Sequence, residues 1–164
     1  MRIVLKVVAF RSSCDDGLDN GDKVRLPPDA ISQLKHLFEG TPEMAASLKL
    51  VAPSLNTSVF CGILDFSACS GSIELPLRLA EQMGIDVAAG ENIIVRDVYL
   101  PKARLIVLTP LTADFFDIPD ARAKLQGVLG RYISTAVKGS IMSIQHGGST
   151  FRVTVQQVYA QDPV

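Results

Sequence analysis

The sequence predicts a mainly β chain of two lobes: a β-barrel with short helical insertions over residues 1–108, then a small α/β lobe, one helix plus a β-hairpin, over residues 109–164. Three observations carry this expectation. Short strand-like apolar stretches, bounded by Gly, Pro, Asn and Asp, recur from Arg2 to Leu108. One strand-proline-helix phrase is written twice. A sustained helical stripe comes only after Thr109, and two strand-like runs around a Gly-Gly turn follow it.

The repeated phrase is VRLPPDAISQL, Val24–Leu34, and IELPLRLAEQM, Ile73–Met83. The copies align without a gap, Leu26 on Leu75, Pro27 on Pro76, Gln33 on Gln82 and Leu34 on Met83. Each opens with a short apolar alternation and then places Pro where its missing N–H and fixed φ suit the first turn of a helix. Apolar residues follow at helical spacing: Ala30, Ile31, Leu34, Leu37 and Phe38 in the first copy, Leu79, Ala80 and Met83 in the second. Two copies are too few for a solenoid, so they are expected to close on each other, with Leu26 and Leu75 in equivalent buried positions.

The remaining elements follow in order. MRIVLKVVAF lacks the length and cleavage site of a signal peptide, because Lys6 interrupts a short apolar stretch, and it reads as a first strand. The acidic stretch SSCDDGLDNGD reads as a solvated turn. TPEMAASLKLVAPSLNTS ends one element and starts another, VFCGILDF (Val59–Phe66) is strand-like, and Ser70-Gly71-Ser72 turns the chain into the second copy, whose helix stops near Gly84. NIIVRDVYL and ARLIVL, separated by Pro101, complete a first lobe of six or seven strands. In the second lobe Asp117-Ile118-Pro119-Asp120 reads as a helix start with a carboxylate at the N-terminal dipole. Leu125, Val128, Leu129, Tyr132, Ile133 and Ala136 keep helical spacing through Val137, and Gly139 closes the helix. SIMSIQ-HGGS-TFRVTVQQV is the hairpin.

Composition excludes several functions. The 16 basic and 17 acidic residues leave a net charge of −1 and no electrostatic footprint for nucleic acid or an anionic membrane. No apolar run reaches the ~18 residues of a membrane span. Cys14, Cys61 and Cys69 form no C-x-x-C pair and read as free, mostly buried thiols of a reducing compartment, taken as cytoplasm and nucleus. His36 and His146 fall in different lobes without ligand-like neighbours, and Asp16 starts no calcium loop because Leu18 and Pro27 occupy ligand positions. No metal, cofactor or catalytic residue is therefore expected. Asn56-Thr57-Ser58 is a polar loop, and the paired Asp-Thr/Ser-Gly turns of an aspartic protease are missing. Gly71-Ser72 has the dipeptide of a self-cleaving barrel enzyme but none of the surrounding chemistry.

Three ordered segments carry a resemblance. GDKVRLPPDAISQL (Gly21–Leu34), VFCGILDFSACSGSIELP (Val59–Pro76) and PLTADFFDIPDARAKLQGVLGRYISTAVKGSIMSI (Pro110–Ile144) are similar, in this order, to the N-terminal domain of the ubiquitin fusion degradation protein 1 family. The resemblance implies a double-psi β-barrel followed by a small α/β lobe, as in the amino-terminal domain of the AAA ATPase valosin-containing protein. It also implies a non-enzymatic adaptor that holds polyubiquitinated clients, pairs with the nuclear protein localisation 4 subunit and delivers to that ATPase for proteasomal degradation, including ER-associated degradation. The family's segments for those two partners lie beyond the matched stretch, and the sequence stops at Val164 without them.

Ubiquitin presents an aliphatic patch ringed by basic residues, so a receptor needs exposed apolar groups beside carboxylates. Asp114, Phe115, Phe116, Asp117 and Asp120 have that composition. Phe115, Phe116 and Ile118 can equally glue the second lobe to the barrel, and at least one of the two phenylalanines should be buried in either case. The competing expectation is a module that binds a peptide or partner in the groove between the lobes without ubiquitin recognition.

Overall fold

Two parallel strand pairs set the topology of the first lobe. In the computed structural model, which describes residues 2–11, 16–34 and 44–160, six strands close into a barrel. They are β1 (Arg2–Ala9), β2 (Lys23–Arg25), β3 (Met44–Ala52), β4 (Thr57–Asp65), β5 (Ser72–Leu75) and β6 (Asn92–Pro101). Their order around the barrel is β1-β5-β2-β4-β3-β6. β1 runs parallel to β5 and β2 parallel to β4; every other pairing is antiparallel. The two repeat strands, β2 and β5, are therefore neighbours, joined at Arg25 and Glu74, and each has a parallel partner on its other side.

The repeat is buried as its spacing demands. Leu26 is 0% and Leu75 1% exposed, and the aligned ends Leu34 and Met83 lie in the same core. Both Pro27 and Pro76 are buried in extended conformation at the N-cap, one position ahead of the helical turn rather than inside it. The helices then differ. The first copy forms a 3-10 helix over Pro28–Gln33. The second forms α1 (Leu77–Met83), closed by Gly84 at φ 74°, a left-handed conformation that glycine adopts without strain. Leu37 and Phe38 lie outside the described residues, as do Cys14 and His36.

The second lobe is a three-stranded antiparallel sheet in the order β7-β9-β8, from β7 (Leu105–Pro110), β8 (Ile141–His146) and β9 (Ser149–Tyr159). The 3-10 turn Ala113–Asp117 and helix α2 (Ala121–Tyr132) join β7 to β8. Gly147 and Gly148 at φ 58° and 77° make the β8–β9 turn, the backbone a two-residue hairpin needs. Met142, Ile144, Phe151, Val153 and Val155 form the core, with Leu125, Val128 and Leu129 of α2 packed against it.

Several expectations change. The strand of ARLIVL belongs to the second sheet, pairing with β9 from Leu105–Tyr159 to Pro110–Val153. The physical reason is closure: β6 already has β1 and β3 as neighbours, so the barrel offers no edge for a seventh strand. Helix α2 stops at Tyr132 instead of Val137, with Ile133 extended at φ −116°, ψ 127°. Its start is also different: Pro119 lies outside the helix, and Asp120 at the N-cap takes φ 51° without a side-chain capping bond. Cys61 is buried but Cys69 is exposed. Phe115 and Ile118 pack into the second lobe's own core rather than between the lobes.

Candidate functional site

The early end of α2 leads to the junction of the lobes. Asp22, read from the sequence as part of a solvated acidic turn, is 1% exposed. Its carboxylate accepts four hydrogen bonds from the segment after α2. Oδ1 takes the Ser134 N–H and hydroxyl, both at 2.8 Å, and Oδ2 takes the Thr135 N–H at 2.8 Å and hydroxyl at 2.6 Å. The Asp22 N–H donates to the Tyr132 carbonyl at 3.1 Å, the Gly62 N–H donates to the Asp22 carbonyl at 3.0 Å, and Lys23 Nζ caps the Arg131 carbonyl at 2.9 Å. A buried carboxylate is tolerated only when its lone pairs are filled, and two backbone donors can reach it only if Ser134 and Thr135 leave the helix. This interaction ends α2.

The glycines around the clasp are required by contact. A Cβ on Gly62 would stand 2.1 Å from Ser134 Oγ, one on Gly21 2.5 Å from the Tyr132 carbonyl oxygen, and one on Gly17 2.5 Å from the Tyr132 ring. Gly21-Asp22 and Gly62 thus belong to one seat, shaped in the barrel to receive the end of a helix from the other lobe.

Two cavities flank the extended segment that the clasp creates. On one side lies an apolar groove of about 600 Å³ between the barrel, at Phe60 and Leu100–Ala103, and the second lobe, at Ile106, Leu129, Ile133 and Val158. On the other lies a polar pocket of about 130 Å³ with Asp22, Ser58, Arg78, Gln82 and Ser140. Phe60, Thr135 and Val137 line both. The half-buried Arg78 donates from Nη2 to the Ile141 carbonyl at 3.2 Å. Burial lowers the pKa of its guanidinium, and the Asp22 charge opposes that shift.

The acidic aromatic turn lies elsewhere on the second lobe. Asp114, Phe116, Asp117 and Asp120 are exposed, Phe116 to 74%, while Phe115 is 7% exposed. The Phe115 ring meets Phe116 edge-on at 6.0 Å and Phe151 at 6.3 Å, so a buried aromatic anchors the exposed one. The turn therefore presents one large apolar side chain among three carboxylates.

A third polar cluster ties the segment after β1 to β2, β4 and β5. Glu74, 4% exposed, accepts from Arg11 Nε at 2.6 Å and Arg25 Nη1 at 3.0 Å, and Arg25 also donates to Asp65 at 3.2 Å. Partial burial would raise Asp65, but hydrogen bonds from Ser67 and then Arg25 outweigh it and lower its pKa. With each cation already facing a carboxylate, this cluster holds strands. Ser72 of the Gly-Ser dipeptide donates its hydroxyl to the Cys69 carbonyl at 2.7 Å. His146 ends β8 far along the chain from any partner histidine.

Sequence reasoning named the aromatic turn but missed Asp22, Gly62, Arg78, Ser134 and Thr135. Their one signal was that Gly21-Asp22, Gly62 and Ser134-Thr135 each fall in a different segment of the family resemblance.

Comparison with known proteins agrees with that resemblance. The family model described as Ubiquitin fusion degradation protein UFD1, N-terminal subdomain 1, matches residues 3–101, the stretch from β1 to the end of β6. The chain is 33% identical over 143 residues to ubiquitin fusion degradation protein 1 of Saccharomyces cerevisiae, covering 87% of this chain and 38% of that protein. It is 29% identical over 138 residues to the Caenorhabditis elegans homologue, covering 84% and 39%. With the human ubiquitin recognition factor in ER-associated degradation protein 1 it shares 26% identity over 140 residues, 85% of this chain and 44% of that one. The chain thus spans about two fifths of the length of these relatives. It belongs to the ubiquitin fusion degradation protein 1 family.

Proposed function

We propose that this chain is a non-enzymatic domain that binds ubiquitin and polyubiquitin, and that it serves an adaptor delivering ubiquitinated clients to an AAA unfoldase for proteasomal degradation. The observation that carries the reading is the turn Asp114–Asp120, where Phe116 stands 74% exposed among three exposed aspartates on a member of this family. An apolar side chain ringed by carboxylates complements an aliphatic patch ringed by basic groups: burial supplies affinity and the charges supply orientation and approach rate. The names of the relatives, ubiquitin fusion degradation protein and ubiquitin recognition factor, support the same role. Pairing with the nuclear protein localisation 4 subunit and attachment to valosin-containing protein are proposed for the whole protein, in cytoplasm and nucleus. Among the described residues no helix is long and apolar enough to cross a membrane.

The barrel is proposed to be of double-psi type. Adjacent copies of one strand-proline-helix unit, each with a parallel partner, support that reading. The lobe boundary is proposed between Pro101 and Leu105, where the chain leaves β6 for β7.

Titration with mono-ubiquitin and with ubiquitin chains tests the function. Chains are expected to bind more tightly than monomer, because neighbouring units raise the local concentration at a weak site. Asp114→Lys with Asp120→Lys is expected to weaken chain binding several-fold, on the order of 1 kcal/mol, while shifting folding by no more than about 0.5 kcal/mol. Unchanged chain affinity in the folded double variant would move the site off this turn. Absence of ubiquitin binding by the wild type would remove the proposal.

A further inference from the structure

The junction between the lobes is cationic on a chain whose net charge is −1. The charged side chains lining the apolar groove are Lys102 and Lys138, and the adjoining polar pocket adds Arg78. Asp22 is, among the described residues, the single carboxylate at either cavity, and both of its oxygens are engaged by Ser134 and Thr135. Among the described residues the guanidinium of Arg78 makes one hydrogen bond, to the Ile141 carbonyl, and no ion pair. Arg78 lines its cavity together with Gln82, Ser58 and Ser140. Between the cavities the segment after Thr135 carries three backbone N–H groups, at Ala136, Val137 and Lys138, that no hydrogen bond reaches among the described residues.

We infer that this junction is a docking site for an extended partner peptide whose apolar side chains enter the groove and whose Asp or Glu side chain pairs with Arg78. The groove volume lies within the range of sites that take small ligands or a few side chains. An extended chain laid along residues 133–138 can use the free N–H groups as a sheet edge does. Charge decides the partner: Lys102, Lys138 and Arg78 attract a carboxylate-bearing segment and repel the basic rim of ubiquitin, so this site is separate from the acidic turn and serves a different partner. The inference rests on the groove and its charges, not on the ubiquitin reading.

The test uses an array of heptapeptides with Leu, Ile, Val and Phe around a central Asp, matched one for one with central Asn. Binders are then measured by fluorescence anisotropy against the wild type, Arg78→Gln, and Asp114→Lys with Asp120→Lys, each checked by thermal melting. Asp peptides are expected to bind at least roughly tenfold more tightly than their Asn partners, as charge-assisted hydrogen bonds do. Arg78→Gln should erase that preference while leaving Asn-peptide binding and ubiquitin binding unchanged. The doubly substituted turn should leave peptide binding unchanged. No Asp-over-Asn preference across the array, or an equal loss for both peptide sets in a folded Arg78→Gln protein, would overturn the inference. A concentration-dependent dimer abolished by Arg78→Gln would also overturn it, by placing a second copy in the groove.

Discussion

Asp22 holds the two lobes with one carboxylate, and the cost of losing it is correspondingly large. Asp22→Ala removes the acceptor of four hydrogen bonds and strands the N–H groups of Ser134 and Thr135 near the barrel. Hydrogen bonds to a charged group contribute about 1.5–3 kcal/mol each, and they are not additive, so a destabilisation of roughly 3–5 kcal/mol is expected in chemical denaturation. Gly62→Ala should cost about 1–3 kcal/mol, because the new Cβ collides with Ser134 and the segment must shift. If both variants unfold like the wild type, the clasp has no energetic role. The thiols separate in the same way. Burial, with the Asp22 charge adding, raises Cys61 well above the ordinary thiol pKa, whereas Cys69 is exposed. In the native protein iodoacetamide should modify Cys69 and leave Cys61 untouched, as read by peptide mass mapping. A raised thiol pKa means that the neutral form is favoured by folding. The contribution of Cys61 is therefore constant below the unfolded pKa and declines as pH climbs past about 8.5–9. The melting temperature should fall over that range, and less so in Cys61→Ala.

The elements were legible in the sequence wherever their cause was local. Two prolines, two leucines and a helical spacing placed both repeat units, although each proline stands one position ahead of the turn expected for it, because strand, proline and the next apolar turn all lie within eleven residues. Leu26→Ala and Leu75→Ala should accordingly each cost ~2–5 kcal/mol, as core truncations do, and by similar amounts if the positions are equivalent. Surface-like costs at both would make the repeat an accident of composition. Elements whose cause is distant were not legible. Apolar spacing carries α2 on to Val137, but the helix stops at Tyr132 for the carboxylate of Asp22, which lies 112 positions before Ser134. The apolar run Leu105–Leu108 marks a strand without saying which sheet has a free edge. Likewise, DDGLDNGD looks uniformly solvated, and only the folded chain separates Asp22 from its neighbours.

At the scale of the whole molecule, the two lobes make two surfaces of opposite charge. The outer turn of the second lobe carries Phe116 with three aspartates, and the junction carries an apolar groove with Arg78, Lys102 and Lys138. The first was readable as composition, since Asp114–Asp120 is one continuous stretch, although exposure of Phe116 and burial of Phe115 needed the fold. The second was not, because its lining comes from both lobes and its shape depends on the early end of α2. Raised salt should weaken ubiquitin binding at the turn, which relies on exposed charges, more than it weakens folding. The most direct measurement is a titration of isotope-labelled protein with unlabelled ubiquitin, followed through the backbone amide signals. Saturable shifts are expected, centred on Ala113–Ala121, with the amides of Lys102 and of residues 133–138 at the junction unmoved. Shifts concentrated at the junction, with the turn silent, would contradict a ubiquitin site on the turn.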